Sequence, residues 1–191
     1  MIATYTLQTD PLTGVLNRAS LLSMLFRETD RVQRMKTPLC LLLFDLDDFG
    51  HWNSQLGTEA CDDLLCQVAG RTTRLLRSYD LLGRPSKDEF LLVLPGCTIS
   101  HATMLAERLR LDVFAQPFHL PSRTVRLSAC FGIAASEGRS PVVVLREAEM
   151  AVQKAKETGA GSMQPYGEAD RVESTPVVLL PAGNEENSPG W

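Results

Sequence analysis

Asp45, Asp47 and Asp48 crowd three carboxylates together directly after Pro38–Phe44, a continuous apolar run, and Asp88 and Glu89 place two more next to a short polar turn. An apolar run that ends abruptly in acid reads as a buried strand delivering polar groups to a sheet edge, where they are placed for chemistry. Carboxylates held close repel unless a cation lies between them or one takes up a proton, and hard cations take carboxylate oxygens. A lone surface acid, by contrast, is ordinarily a solvated side chain. Arg77 and Asp80 form a second charged pair, an Arg-x-x-Asp of a kind common at helix ends and weak by itself.

Other chemistries find little support. His51, His101 and His119 are isolated, without metal-ligand or catalytic spacing, and read as surface or edge residues. The five cysteines, Cys40, Cys61, Cys66, Cys97 and Cys130, are odd in number and unpaired in spacing, which fits buried thiols in a reducing compartment. No phosphate-cradling P-loop or dinucleotide fingerprint occurs. A formal net charge of −4 with no long basic run argues against nucleic acid or an anionic membrane surface as partner. No segment approaches the roughly 20 apolar residues of a membrane helix, and no signal peptide is visible, so the expected location is the cytoplasm.

The elements that must position these acids follow from periodicity. A chain of 191 residues that is 44% hydrophobic is of one-domain size and can build a core. Leu21, Leu22, Leu25 and Phe26 mark a first helix after the turn-rich Asp10–Arg18. The strand at 38–44 precedes a helix from about Thr58 to Arg77. Strands near Leu81–Arg84 and Phe90–Leu94 then flank Pro85-Ser86-Lys87-Asp88, a β-hairpin tip. A helix carrying Ala102, Leu105, Ala106, Leu109 and Val113, an alternating strand over 124–135, a helix over 143–156 and a last strand near 162–166 complete an α/β sandwich. Residues 1–9 form a lead-in and 10–166 the domain. From about Gly167 the composition turns to Glu, Pro, Asn and Gly, so 167–191 is expected to be a flexible tail, with Val177–Leu180 able to dock.

Several of these segments, in order and spacing, resemble the GGDEF domain of diguanylate cyclases, enzymes that join two GTP into cyclic di-GMP. They are Asp10-Pro-Leu-Thr-Gly-Val-Leu-Asn-Arg18, Phe44-Asp45-Leu46-Asp47-Asp48-Phe49, Ser86-Lys87-Asp88-Glu89-Phe90, Ala106–Arg110 and Ala148–Lys156, so the resemblance covers about residues 10–166. It implies a nucleotide-cyclase palm, a central mixed five-stranded sheet flanked by helices, in which two domains meet face to face over GTP. It assigns Asp45, Asp88 and the Leu46 backbone carbonyl to Mg²⁺, and Glu89 to metal binding or activation of the attacking hydroxyl. Asn53 and Asp62 would read guanine, their plain alternatives being a helix cap and an exposed helical acid. Lys156 would hold phosphate.

The departures from the family pattern point to a degenerate centre. Ser86 and Lys87 replace two glycines, and if the second position requires positive φ, Lys87 costs roughly 1–2 kcal/mol. Gly50 and Ala160 stand where the family has phosphate-binding Lys and Arg, a loss of roughly 3–6 kcal/mol at roughly 1.5–3 kcal/mol per charged hydrogen bond. Lys87 could compensate by contacting a phosphate, or bridge Asp45 and Asp88 as a fixed substitute for the metal, and the second is the expectation. Arg77 and Asp80, with five residues between Asp80 and Ser86, stand in the register of the family's inhibitory cyclic di-GMP site, with Arg108 supplying a second arginine. The leading expectation is therefore a weak or inactive cyclase that binds cyclic di-GMP and signals through a protein partner or homodimer. An active diguanylate cyclase using GTP and a nucleotide-independent interaction module are the alternatives. With nine residues before Asp10, either dimerisation is intrinsic, or input comes from a separate protein, or the sequence is a piece of a longer chain.

Overall fold

The computed structural model describes residues 7–167 and Asp170. The expected tail over 167–191 lies outside the described residues apart from Gly167 and Asp170, as does most of the lead-in. Elements run β1 (Leu16–Asn17), α1 (Arg18–Met35), β2 (Leu39–Leu46), α2 (Phe49–Leu56), α3 (Thr58–Thr73), β3 (Leu81–Arg84) and β4 (Glu89–Pro95). They continue with α4 (Ile99–Leu109), the short ribbon β5 (Phe118–His119) and β6 (Thr124–Val125), then β7 (Ala129–Ala135), α5 (Pro141–Thr158) and β8 (Met163–Pro165). Arg110–Phe114 prolong α4 as a π-helical turn.

One mixed sheet has the order β1-β3-β4-β2-β7-β8. All eight residues of β2 are buried, because the strand sits mid-sheet, antiparallel to both β4 and β7, with helices over both faces. On one face Phe44 stacks on Phe90 with ring centroids 5.2 Å apart and meets Phe131 at 5.6 Å and Phe114 at 5.7 Å. On the other, Leu41, Leu43, Leu91 and Val93 pack beneath Leu21, Leu25, Val144 and Ala148 of α1 and α5. Gly132 lets α5 ride close on β7, since a Cβ there would lie 2.4 Å from the Ala148 carbonyl oxygen.

The palm-like α/β architecture agrees with expectation, and four details differ. The sheet has six strands rather than five, because Leu16–Asn17 pairs parallel to β3, a two-residue strand too short to leave a periodic signal. A separate helix, α2, fills the stretch after Asp48. The helix expected to reach Arg77 stops at Thr73, and Leu75, Leu76 and Asp80 donate backbone bonds three residues back in successive turns. The alternating stretch over 124–135 divides into β6 and β7.

Candidate functional site

The β2–β4–β7 register sets the acidic centre. Asp45, 8% exposed at the end of β2, lies opposite Glu89 on β4 and Cys130 on β7, and the Leu46 N–H donates to the Asp88 carbonyl at 3.1 Å. Beyond it a cleft of about 250 Å³ is lined by Asp45, Asp47, Asp48, Cys130, Lys156 and Ala160. Burial pushes the Asp45 carboxyl up, the charges of Asp88 and Glu89 add to that, and Lys156 opposes it, the balance lying above the usual range. Lys156, from the last turn of α5, places Nζ 2.9 Å from Asp45 Oδ1. Burial disfavours its charge, but the hydrogen bond to Asp45 and the nearby Asp88 hold its pKa up.

The cation beside Asp45 is thus Lys156 and not Lys87. Lys87 is exposed at the hairpin tip, and the charges that act on Asp45 are those of Lys156, Asp88 and Glu89. The bridge from Lys87 to Asp45 and Asp88 is not formed, because the approach to Asp45 is already taken from α5. Nor does Lys87 carry left-handed strain: among the described residues only Lys36, Asp48 and Glu137 are non-glycine residues with positive φ. Ser86 does more than add bulk, since its Oγ donates to Glu89 Oε2 at 2.6 Å.

The turn at Asp10–Gly14 anchors this hairpin. Asp10 Oδ2 accepts from the Thr13 N–H at 2.9 Å, the Thr13 hydroxyl at 2.6 Å and Arg84 Nη1 at 3.1 Å. Arg84 in turn donates to the Lys87 carbonyl through Nη2 at 2.6 Å and Nε at 3.1 Å. Burial alone would raise the Asp10 carboxyl, but the two Thr13 bonds and the Arg84 guanidinium outweigh it and hold it below its ordinary value. Asp47 has a comparable task, accepting from Ser128 Oγ at 2.6 Å and the Gly161 N–H at 2.8 Å, which ties β2 to the loops flanking the cleft.

Asn53 and Asp62 lie on consecutive helices either side of Gly57, Asn53 exposed and Asp62 half-buried. Asn53 is inside α2 and is not a helix cap; its carbonyl accepts from the Gly57 N–H at 3.0 Å. Gly50 opens the first turn of α2 with free space around a Cβ, and Ala160 borders the acidic cleft.

Arg77, Asp80 and Arg108 come together. They line one cavity of about 180 Å³ with Cys97, His101 and Met104. No Arg77–Asp80 side-chain ion pair forms among the described residues. Asp80 Oδ2 instead accepts from the Arg77 backbone N–H at 2.8 Å, which folds the turn, while Arg77 Nη1 donates to the Tyr79 hydroxyl at 3.1 Å. The two guanidiniums therefore belong to exposed side chains. This cavity opens at one end of the β3–β4 hairpin and the Ser86–Asp88 tip at the other, as the Leu81↔Val93 and Gly83↔Leu91 pairs require.

Reasoning from sequence missed two features. Nothing in the sequence marked Lys156, expected to hold phosphate, as the ion-pair partner of Asp45. Arg146 and Gln153, on an exposed face of α5, share a cavity of about 280 Å³ with Glu89 and belong to no motif that would have marked them.

Similarity to known proteins agrees with this geometry. The family profile "Diguanylate cyclase, GGDEF domain" matches residues 7–162. Diguanylate cyclase DgcP of Pseudomonas aeruginosa is 34% identical over 157 residues, covering 82% of this chain and 23% of DgcP, so the chain spans about a quarter of that relative. Response regulator PleD of Caulobacter vibrioides is 30% identical over 159 residues, covering 81% of this chain and 35% of PleD. Among solved structures, the isolated GGDEF domain of TpbB (YfiN) from Pseudomonas aeruginosa superposes with a TM-score of 0.82 at 30% identity, covering 88% of this chain and 100% of that one. No helix among the described residues is long and apolar enough to cross a membrane. By its motifs, its sheet order and these likenesses, this chain belongs to the GGDEF domain family of diguanylate cyclases.

Proposed function

We propose that this domain acts in cyclic di-GMP signalling as a receptor, binding the dinucleotide at Arg77, Asp80 and Arg108 and passing that state to a protein partner or a second copy of itself. The observation that carries the reading is the cavity in which those three residues meet, with both arginines exposed. An arginine fork matches guanine O6 and N7 and can also pair with phosphate, and Asp80 accepts from guanine N–H groups. The synthetic centre is correspondingly reduced. Asp45 is engaged by Lys156 and Glu89 by Ser86, and the positions of two phosphate cations are held by Gly50 and Ala160.

A second reading, residual cyclase activity, is favoured by the convergence of Asp45, Asp88 and Glu89, each close enough to shift the first. Two carboxylates and a backbone carbonyl suit Mg²⁺, which relies on substrate phosphates and water for its other ligands. Asp45, Asp88 and the Leu46 carbonyl would hold it, and it would supply neutralisation of charge on the phosphates. Glu89 would then receive the proton of the attacking hydroxyl and Lys156 would turn from Asp45 to phosphate. Asn53 and Asp62 would read the guanine of GTP.

Calorimetric titration with cyclic di-GMP tests the receptor reading. Losing a bidentate arginine–guanine pair worth about 1–3 kcal/mol, Arg77→Ala should weaken binding about 5- to 150-fold, and Arg108→Ala should weaken it in the same direction. Affinity indifferent to both substitutions contradicts the assignment.

A further inference from the structure

A further cavity lies in neither of these places. About 500 Å³ in volume, it opens at the end of the sheet away from Asp45, between the C-terminus of α1, the start of β2, and the loops that follow β4 and β7. That volume is ample for a small molecule. Its walls are mainly apolar, with Val32, Leu39, Ile99 and Ala135 among them.

Three features set it apart from a packing defect. Ser136 lines it and is 2% exposed, and its hydroxyl has no hydrogen-bond partner. An orphaned buried donor is destabilising, and a ligand acceptor would remove that cost. Second, two of the three non-glycine left-handed residues among the described residues, Lys36 at φ 53° and Glu137 at φ 44°, stand on this one rim. Lys36 is the left-handed C-cap of α1, its N–H directed to the Gln33 and Val32 carbonyls, so the helix end itself fixes where this lysine leaves the rim. Third, the rim charges are unequal. Glu137 lies 3.6 Å from Nη2 of Arg139, a guanidinium it shares with Glu147, whereas Lys36 makes no ion pair among the described residues.

We propose that this cavity binds a small apolar monocarboxylate, its acid group met by the Lys36 ammonium and the Ser136 hydroxyl and its apolar body against Val32, Leu39, Ile99 and Ala135. A bare hydrocarbon would leave both the Ser136 hydroxyl and the Lys36 ammonium without a partner. Cys97 lines both this cavity and the one holding Arg77 and Arg108, so an occupant sits one side chain away from the proposed dinucleotide site. That proximity rests on the receptor reading for its significance; the binding itself does not.

The test is calorimetric titration of the full chain with decanoate below its micelle threshold, and with 1-decanol for comparison. Decanoate is expected to bind saturably at one site and about tenfold more tightly than decanol. Lys36→Asn, which removes the charge with a residue tolerant of positive φ, should weaken decanoate about tenfold. Ser136→Ala should do the same while raising the melting temperature of the free protein, because it deletes the orphaned hydroxyl. Ala135→Leu should fill the space and abolish binding with the melting transition retained; if that variant unfolds, the exposed Lys36→Asn position carries the test. Absence of saturable heat, or decanoate affinity unchanged in Lys36→Asn and Ser136→Ala, overturns the proposal. Loss of cyclic di-GMP binding in Arg77→Ala has no bearing on it.

Discussion

On the proposed reading, placing cations at Gly50 and Ala160 should strengthen the grip on a nucleoside triphosphate. Gly50 is in the first turn of α2 with open space where a Cβ would lie, so the first carbon of a lysine side chain is accommodated in Gly50→Lys. A lysine near a helix N-terminus costs about 0.3–1 kcal/mol against the macrodipole, partly offset by the higher helix propensity of lysine over glycine. Ala160 is exposed and borders the cleft that holds Asp45 and Lys156, so Ala160→Arg projects a guanidinium from its margin. At about 1.5–3 kcal/mol per charge-assisted bond, the double variant should gain about 3–6 kcal/mol toward GTP with Mg²⁺, roughly a hundredfold to ten-thousandfold in affinity. Each single variant should give about half of that in free energy. The assay is calorimetric titration of the wild-type chain, both singles and the double, with cyclic di-GMP titrated into each as a control that should not change. A double variant binding GTP no better than wild type would refute the reasoning, and would locate the obstacle at Lys156 or the Ser86–Lys87 tip.

Gly132→Ala should be severely destabilising, because its Cβ would lie 2.4 Å from the Ala148 carbonyl oxygen and 2.5 Å from the Val152 nitrogen; thermal unfolding should shift down by about 6–12 °C for a cost of about 3 kcal/mol. Asp10→Asn weakens the Arg84 link to the hairpin and should cost about 1–3 kcal/mol at neutral pH by chemical denaturation. Since the folded Asp10 carboxyl lies below its ordinary 3.8, its contribution is complete above that value and is lost as pH falls through the lower folded pKa. The stability gap between wild type and variant should therefore persist near pH 5 and close under stronger acid.

The fold was legible where residue patterns are long. The unbroken apolar run at 39–44 announced a central strand, and the short gap between Arg84 and Phe90 announced a hairpin, because strands buried on both faces and two-strand turns leave local signatures. What stayed hidden depends on contacts between segments remote in sequence. β1 is two residues long and is defined by its partner Gly83–Arg84 rather than by any periodicity of its own. The acids of the centre were found from spacing, yet their partners were not: Lys156 reaches Asp45 across 111 positions, and only the packing of α5 on β2 and β7 brings them together. Lys87, nearest in sequence to the acids, was the natural candidate, but a hairpin tip projects a long polar side chain into water at least cost. Arg77 and Asp80 were identified correctly as neighbours. The form of their link, carboxylate to backbone N–H, follows from the early end of α3, which periodicity places too late because Leu75 and Leu76 continue the apolar pattern into the turn.

The central claim is that the dinucleotide site outlasts the substrate site. Equilibrium binding of cyclic di-GMP and of GTP with Mg²⁺ to the same wild-type preparation tests it most directly. The account predicts micromolar or tighter cyclic di-GMP binding and GTP binding at least a hundredfold weaker, without conversion to cyclic di-GMP. GTP bound as tightly as cyclic di-GMP and turned over would contradict it.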